Sequence, residues 1–253
     1  MDTKQFGQAT VHIGKDNEEM AAAAAAEFAR LAKEAVNERK QFTVALSGGS
    51  SPPMVYKYLL KDETIPWDRT RFFIGDERCV PDDSPENNFG VARRQLLDHV
   101  QACDEDLFPI VEPDKNPAWA ARQYEEKIRA FFGIKVGEIP VFDLIWLGMG
   151  PDGHCASLFP GTKALEETQR LVVDNYVEKL SANRITFTYP LINNAREVFF
   201  VSHGADKAPV LAEALTSDVI KYPVQKVKPT HGKLVWFIDP EAAKDLLASP
   251  QAR

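Results

Sequence analysis

Phe42-Thr-Val-Ala-Leu-Ser-Gly-Gly-Ser-Ser-Pro-Pro53 decides the architecture. Phe42 to Leu46 is a short apolar run with β-branched residues at its centre, the pattern of a buried strand. Ser47-Gly48-Gly49-Ser50-Ser51 is turn chemistry, and Pro52 and Pro53 pre-set φ for entry into a helix expected near Met54 to Lys61. Strand, turn and crossover helix in that order form the repeating unit of a parallel sheet.

The unit recurs along the chain. Arg71-Phe-Phe-Ile-Gly75 leads into Asp76-Glu77-Arg78, a polar loop and a helix around Phe89 to His99. Phe142-Asp-Leu-Ile-Trp-Leu147 precedes a second Gly-rich loop, and Glu197-Val-Phe-Phe-Val-Ser202 precedes Gly204-Ala-Asp-Lys207 and another helical run. Leu234-Val-Trp-Phe-Ile238 is followed by Asp239-Pro240 and a terminal helix. Upstream, Asp16 or Asn17 caps an Ala-rich helix through about Arg39. The alternation predicts one α/β domain over residues 1–253, with a mainly parallel, Rossmann-like sheet and helices on both faces. With 44% hydrophobic residues, such a domain can bury a substantial core. No internal repeat is evident, and the Pro-rich passage from Phe108 to Pro117 reads as a surface connection.

The formal net charge of -7 disfavours nucleic acid and anionic membrane as partners, so any bound anion must meet a local basic site. Cys79, Cys103 and Cys155 fit neither a disulfide framework nor a zinc site, which suggests a reducing compartment. The first residues lack the apolar core of a signal peptide, and no stretch approaches the roughly 18 apolar residues of a membrane span. A soluble, cytoplasmic-type protein is expected. His12, His99, His154, His203 and His231 are dispersed and form no metal-binding pattern, so no metal is expected.

Sheets of this kind bind ligands beyond the carboxyl ends of their strands, and the polar signals all lie there. A plain structural turn and a phosphate cradle both fit Ser47, Gly48, Gly49, Ser50 and Ser51; the loop has neither the P-loop pattern nor the dinucleotide spacing. If the backbone stays extended, Asp76 and Arg78 face one side and Glu77 the other. Gly148-Met-Gly-Pro-Asp-Gly-His-Cys-Ala-Ser-Leu-Phe-Pro-Gly161 is the most informative segment, because it places Asp152 and His154 just after a buried strand. His154 suits proton transfer. Cys155 and Ser157 are weaker nucleophile candidates, and Cys155 reads as packing. Arg184 and Lys207 could complete a cationic pocket.

Leu46-Ser-Gly-Gly-Ser-Ser-Pro52, Asp76-Glu-Arg-Cys-Val-Pro81, the segment Leu147 to Gly161 and Gly204-Ala-Asp-Lys207, taken in order, closely resemble the 6-phosphogluconolactonase family. The resemblance covers about residues 40 to 210. Ser51 stands where the family often has threonine, and Cys155 follows the histidine where residue type varies. The resemblance implies a single α/β domain in the glucosamine-6-phosphate isomerase/deaminase superfamily. It also implies hydrolysis of 6-phospho-D-glucono-1,5-lactone to 6-phospho-D-gluconate in the oxidative pentose phosphate pathway, without a cofactor. His154 is then expected to act as general base toward water, with Asp76 as its carboxylate partner. Arg78, Arg184, Lys207 and the Ser47 to Ser51 loop would hold substrate oxygens. The competing readings are an amino-sugar phosphate isomerase/deaminase, whose relatives typically carry Asp-Glu-Tyr, and a noncatalytic sugar-phosphate sensor.

Overall fold

The computed structural model describes residues 1–252. The chain opens with a hairpin, β1 (Asp2–Phe6) and β2 (Ala9–Ile13). Helix α1 (Asn17–Arg39) follows; Asp16 caps it by accepting from the Glu19 N–H at 2.8 Å. The next crossover runs through β3 (Phe42–Leu46), α2 (Ser51–Leu59), β4 (Thr70–Ile74), the short β5 (Asp76–Arg78) and α3 (Asn88–Gln95). Then come β6 (Leu107–Phe108), α4 (Pro117–Phe132), β7 (Leu144–Leu147), β8 (Val172–Val177), β9 (Ala182–Phe187) and α5 (Tyr189–Ile192). The chain closes with β10 (Glu197–Ser202), α6 (Ala208–Thr216), β11 (Lys233–Ile238) and α7 (Pro240–Ala248).

The main sheet has eight strands in the order β1-β2-β11-β10-β7-β3-β4-β6. Only the β1–β2 pairing is antiparallel, so the sheet is mainly parallel as the alternation predicts. From β3 the chain moves to β4 in one direction across the sheet, whereas from β10 it moves to β11 in the other. Right-handed crossovers in opposite directions place their helices on opposite faces, so α2 covers one face and α6 the other. The strands between them are buried on both sides. Every residue of β3, β7 and β10 is buried, from Phe42 through Trp146 to Phe200.

The reversal of direction falls between β3 and β7, which are neighbours in the sheet. At such a switch point the loops leaving adjacent strands diverge to opposite faces and open a crevice above the carboxyl edge. A second sheet, β5-β9-β8, is antiparallel and walls that crevice. It grows from the end of β4: Gly75 donates its N–H to the Leu46 carbonyl at 2.9 Å and accepts from the Phe187 N–H at 2.8 Å. This second sheet and the β1–β2 hairpin lie outside the pattern that the strand-helix alternation predicts. The passage from Phe108 to Pro117 is a connection, as expected, and joins β6 to α4.

Candidate active site

Four loops meet over the crevice, one each after β3, β4, β7 and β10. They enclose a cavity of about 370 Å³ lined by Ser47, Gly48, Gly49, Ser50, Ser51, Asp76, Arg78, His154, Arg184 and Lys207. Every site residue expected from the sequence therefore faces one space. Asn88, Asp152, Ser157, Phe159, Lys179 and His203 face it too.

The loop after β7 braces itself. Gly150 donates its N–H to the His154 carbonyl at 2.9 Å, and Gly153 donates to the Gly150 carbonyl at 3.0 Å. This tight return folds Asp152 back onto His154, where the carboxylate Oδ1 lies 2.5 Å from the imidazole Nδ1. The imidazole also stacks on Phe159, with ring centroids 3.9 Å apart and planes 22° from parallel. The carboxylate bonded to His154 is thus Asp152, which corrects the expected partnership with Asp76. Sequence proximity decides the matter physically: a two-residue turn delivers Asp152 to Nδ1, whereas Asp76 accepts a hydrogen bond from the Ser157 hydroxyl at 2.7 Å.

The other oxygen of Asp152 pairs with the Lys179 ammonium, which also sits 4.9 Å above the Phe159 ring centre. Burial alone would raise the Asp152 carboxyl, but hydrogen bonds from His154 and Lys179 outweigh it and hold the group well below the usual carboxylate range. Asp152 is therefore a fixed anion at neutral pH. It holds a proton on Nδ1 and leaves Nε2 to act as the acceptor.

Gly150 makes this packing possible. A Cβ at that position would lie 2.0 Å from the His154 Cε1 and 2.1 Å from Nδ1. Gly150→Ala is expected to displace the ring and lower kcat by about 100-fold, the scale of a misplacement near 1 Å. Steady-state kinetics beside a thermal melt checks this; a variant with unchanged kcat contradicts the assigned ring position.

The alternation expected for Asp76-Glu77-Arg78 holds in β5, where Asp76 and Arg78 face the cavity and Glu77 is fully buried. Glu77 accepts from the backbone N–H groups of Arg78, Asn88 and Phe89 at 2.8, 2.7 and 2.9 Å. It thereby fastens the start of α3 beneath the site. Asn88 in turn donates its side-chain amide to the Asp76 carbonyl at 3.0 Å and fills the space beside Gly48, where a Cβ would lie 2.0 Å from its Oδ1.

Arg78 and Arg184 are directly opposed across the β5–β9 pair. Burial first, and then repulsion from Arg78, lower the Arg184 guanidinium below its ordinary value. Like charges opposed on one face are destabilising unless an anion lies near them, and Asp76 supplies only one. Burial raises the Asp76 carboxyl, opposed by the Ser157 hydrogen bond and by the charges of Arg78, His154 and Arg184. Lys207, from the loop after β10, pairs with Asp206 at 2.5 Å and is only 18% exposed. The cavity is therefore rich in positive charge although the chain is acidic overall.

Neither nucleophile candidate is set up for covalent chemistry. Cys155 is fully buried, and burial pushes its thiol up. The Ser157 hydroxyl donates to Asp76 and so commits its proton to a carboxylate rather than to the histidine. Among the described residues, no three His, Cys, Asp or Glu side chains converge as a set of metal ligands.

A family model described as glucosamine-6-phosphate isomerases/6-phosphogluconolactonase matches residues 15–236. The chain belongs to this family, in its 6-phosphogluconolactonase branch. A 6-phosphogluconolactonase from Nostoc sp. is 42% identical over 214 residues, which cover 84% of this chain and 88% of that protein. One from Synechocystis sp. is 41% identical over 214 residues, with the same coverage of 84% and 88%. The solved 6-phosphogluconolactonase from Trypanosoma cruzi superposes with a TM-score of 0.85 at 27% identity, covering 97% of this chain and 99% of that one.

Proposed function

We propose that the chain hydrolyses 6-phospho-D-glucono-1,5-lactone to 6-phospho-D-gluconate, in the oxidative pentose phosphate pathway. One observation carries this reading: an imidazole tethered to a fixed carboxylate faces the same cavity as Arg78, Arg184 and Lys207. A proton acceptor and a polycationic wall together suit an anionic ester better than a neutral one. The similarity to relatives named for that lactonase supplies the substrate.

In the proposed reaction the His154 Nε2 takes a proton from a water molecule as its oxygen bonds to the lactone carbonyl carbon. Asp152 stabilises the imidazolium that forms, and the cations of the cavity wall stabilise the carbonyl oxygen as it gains charge. The bond between the carbonyl carbon and the ring oxygen then breaks, and the imidazolium returns its proton to that oxygen. The product is an open-chain acid that ionises to the carboxylate. The step uses no metal, cofactor or covalent intermediate. Asp76 acts as the counter-anion that sets Arg78 and Arg184, while the Ser47 to Ser51 loop and Lys207 hold the phosphate at the amino end of α2. The partner is a small molecule rather than nucleic acid or membrane, and no helix among the described residues is long and apolar enough to cross a bilayer. The expected setting is cytoplasmic, which suits the three unpaired thiols.

Two measurements test the substrate. Freshly generated 6-phosphogluconolactone should be hydrolysed far faster than unphosphorylated glucono-1,5-lactone, after the spontaneous reaction is subtracted; equal rates contradict phosphate recognition. Lys207→Ala should raise KM by about tenfold or more with little change in kcat, because a lost hydrogen bond to a charged group costs about 1.5–3 kcal/mol of binding. An unchanged KM removes Lys207 from the phosphate site.

A further inference from the structure

We propose that His203 is a recognition residue for the substrate phosphate, acting by fixing the direction in which the Ser50 hydroxyl donates. This rests on the lactonase reading for the identity of the ligand but uses residues outside the proton-transfer machinery. His203 follows β10 directly, on the loop that carries Lys207, and Ser50 immediately precedes α2. Their side chains meet at the cavity wall, with Nε2 3.0 Å from Oγ, although the residues are 153 positions apart in the chain. Ser50 does not use its oxygen to cap the helix that follows it, so the histidine is its recorded side-chain partner.

A hydroxyl has one proton to give and two lone pairs to receive. When His203 carries a proton on Nε2, that proton goes to Ser50 Oγ and the Ser50 proton is free to point at a ligand in the cavity. When Nε2 is bare, Ser50 gives its proton to the imidazole and shows lone pairs to the cavity. An anion is attracted by the first arrangement and repelled by the second. A phosphate group bound between Ser50 and Lys207 therefore selects the Nε2-protonated imidazole, and the pair behaves as one donor unit. Asp206, the acidic group near His203, is paired with Lys207 and so does not fill the anion position. The contact thus discriminates phosphorylated from unphosphorylated ligands.

The test is equilibrium binding of 6-phosphogluconate and of gluconate to wild type, His203→Leu, Ser50→Ala and the double variant. His203→Leu should weaken 6-phosphogluconate binding by about tenfold, leave gluconate binding and thermal unfolding unchanged, and His203→Gln, which keeps an N–H donor, should recover part of the loss. The double variant should bind no more weakly than the weaker single variant, because the two side chains act as a unit. Unchanged 6-phosphogluconate binding in His203→Leu, an equal loss for gluconate, or additive losses in the double variant each overturn the proposal. The outcome is separable from the lactonase reading because no turnover is measured. If wild type binds glucosamine 6-phosphate in place of 6-phosphogluconate, the lactonase reading fails and the same variants decide the role of His203 on that ligand.

Discussion

His154→Ala is expected to lower kcat by about 100- to 10,000-fold, the usual contribution of a positioned general acid/base, while KM changes little. The ring packs on Phe159 at the cavity surface and belongs to no core layer, so the variant should fold normally. A thermal melt close to that of wild type, with turnover almost lost, is the expected pair of results. Near-normal turnover in a folded variant would remove His154 from the chemistry and return attention to Asp76 as a base.

Asp152→Asn is expected to be nearly as damaging, with a fall in kcat of about 100- to 10,000-fold. The reason is the tautomer. A carboxylate accepts from Nδ1–H, whereas a carboxamide can donate to Nδ1 and leave the proton on Nε2, where it blocks acceptance from water. The same substitution has a signature in stability. The carboxyl of Asp152 lies below its ordinary value of 3.8 in the folded protein, so the ionised form stabilises the fold. That contribution is fully present above the unfolded value and declines as the pH falls through the folded one. The stability gap between wild type and Asp152→Asn should therefore be constant at neutral pH and narrow in strong acid. Denaturant melts across that range check the sign; a gap that widens in acid contradicts the pairing of Asp152 with His154 and Lys179.

The parts of the fold that could be read from the sequence share a physical cause. β3 and β10 are short apolar runs buried on both faces, and both occur at the expected residues. α1 begins at a side-chain cap that Asp16 announces. The second sheet is different, because β5 pairs with β9 over a long separation and neither strand carries a hydrophobic run. The hairpin β1–β2 is largely exposed on its outer strand, so apolar periodicity hardly marks it. α4 left a usable signal: Asn116 caps it, Pro117 opens it and Gly133 closes it in the left-handed region.

The site follows the same division. Residues on the loops just after apolar strands, such as Ser47, Asp76 and His154, can be located from strand ends alone. Lys179 and Asn88 reach the cavity from segments whose sequence gives no sign of the approach, and His203 becomes meaningful only through its contact with Ser50. The partner of His154 depended on the geometry of a single turn. Asp152 and His154 are two positions apart, and the glycines around them let the chain fold back within that span.

The lactonase reading and its nearest rival belong to one family, and they differ in the bond that breaks. The direct measurement incubates the wild-type protein with freshly generated 6-phosphogluconolactone and, in parallel, with glucosamine 6-phosphate, following acid release from the first and ammonia release from the second. The account predicts lactone hydrolysis well above the spontaneous rate and no ammonia. Ammonia release without acceleration of lactone hydrolysis would contradict it.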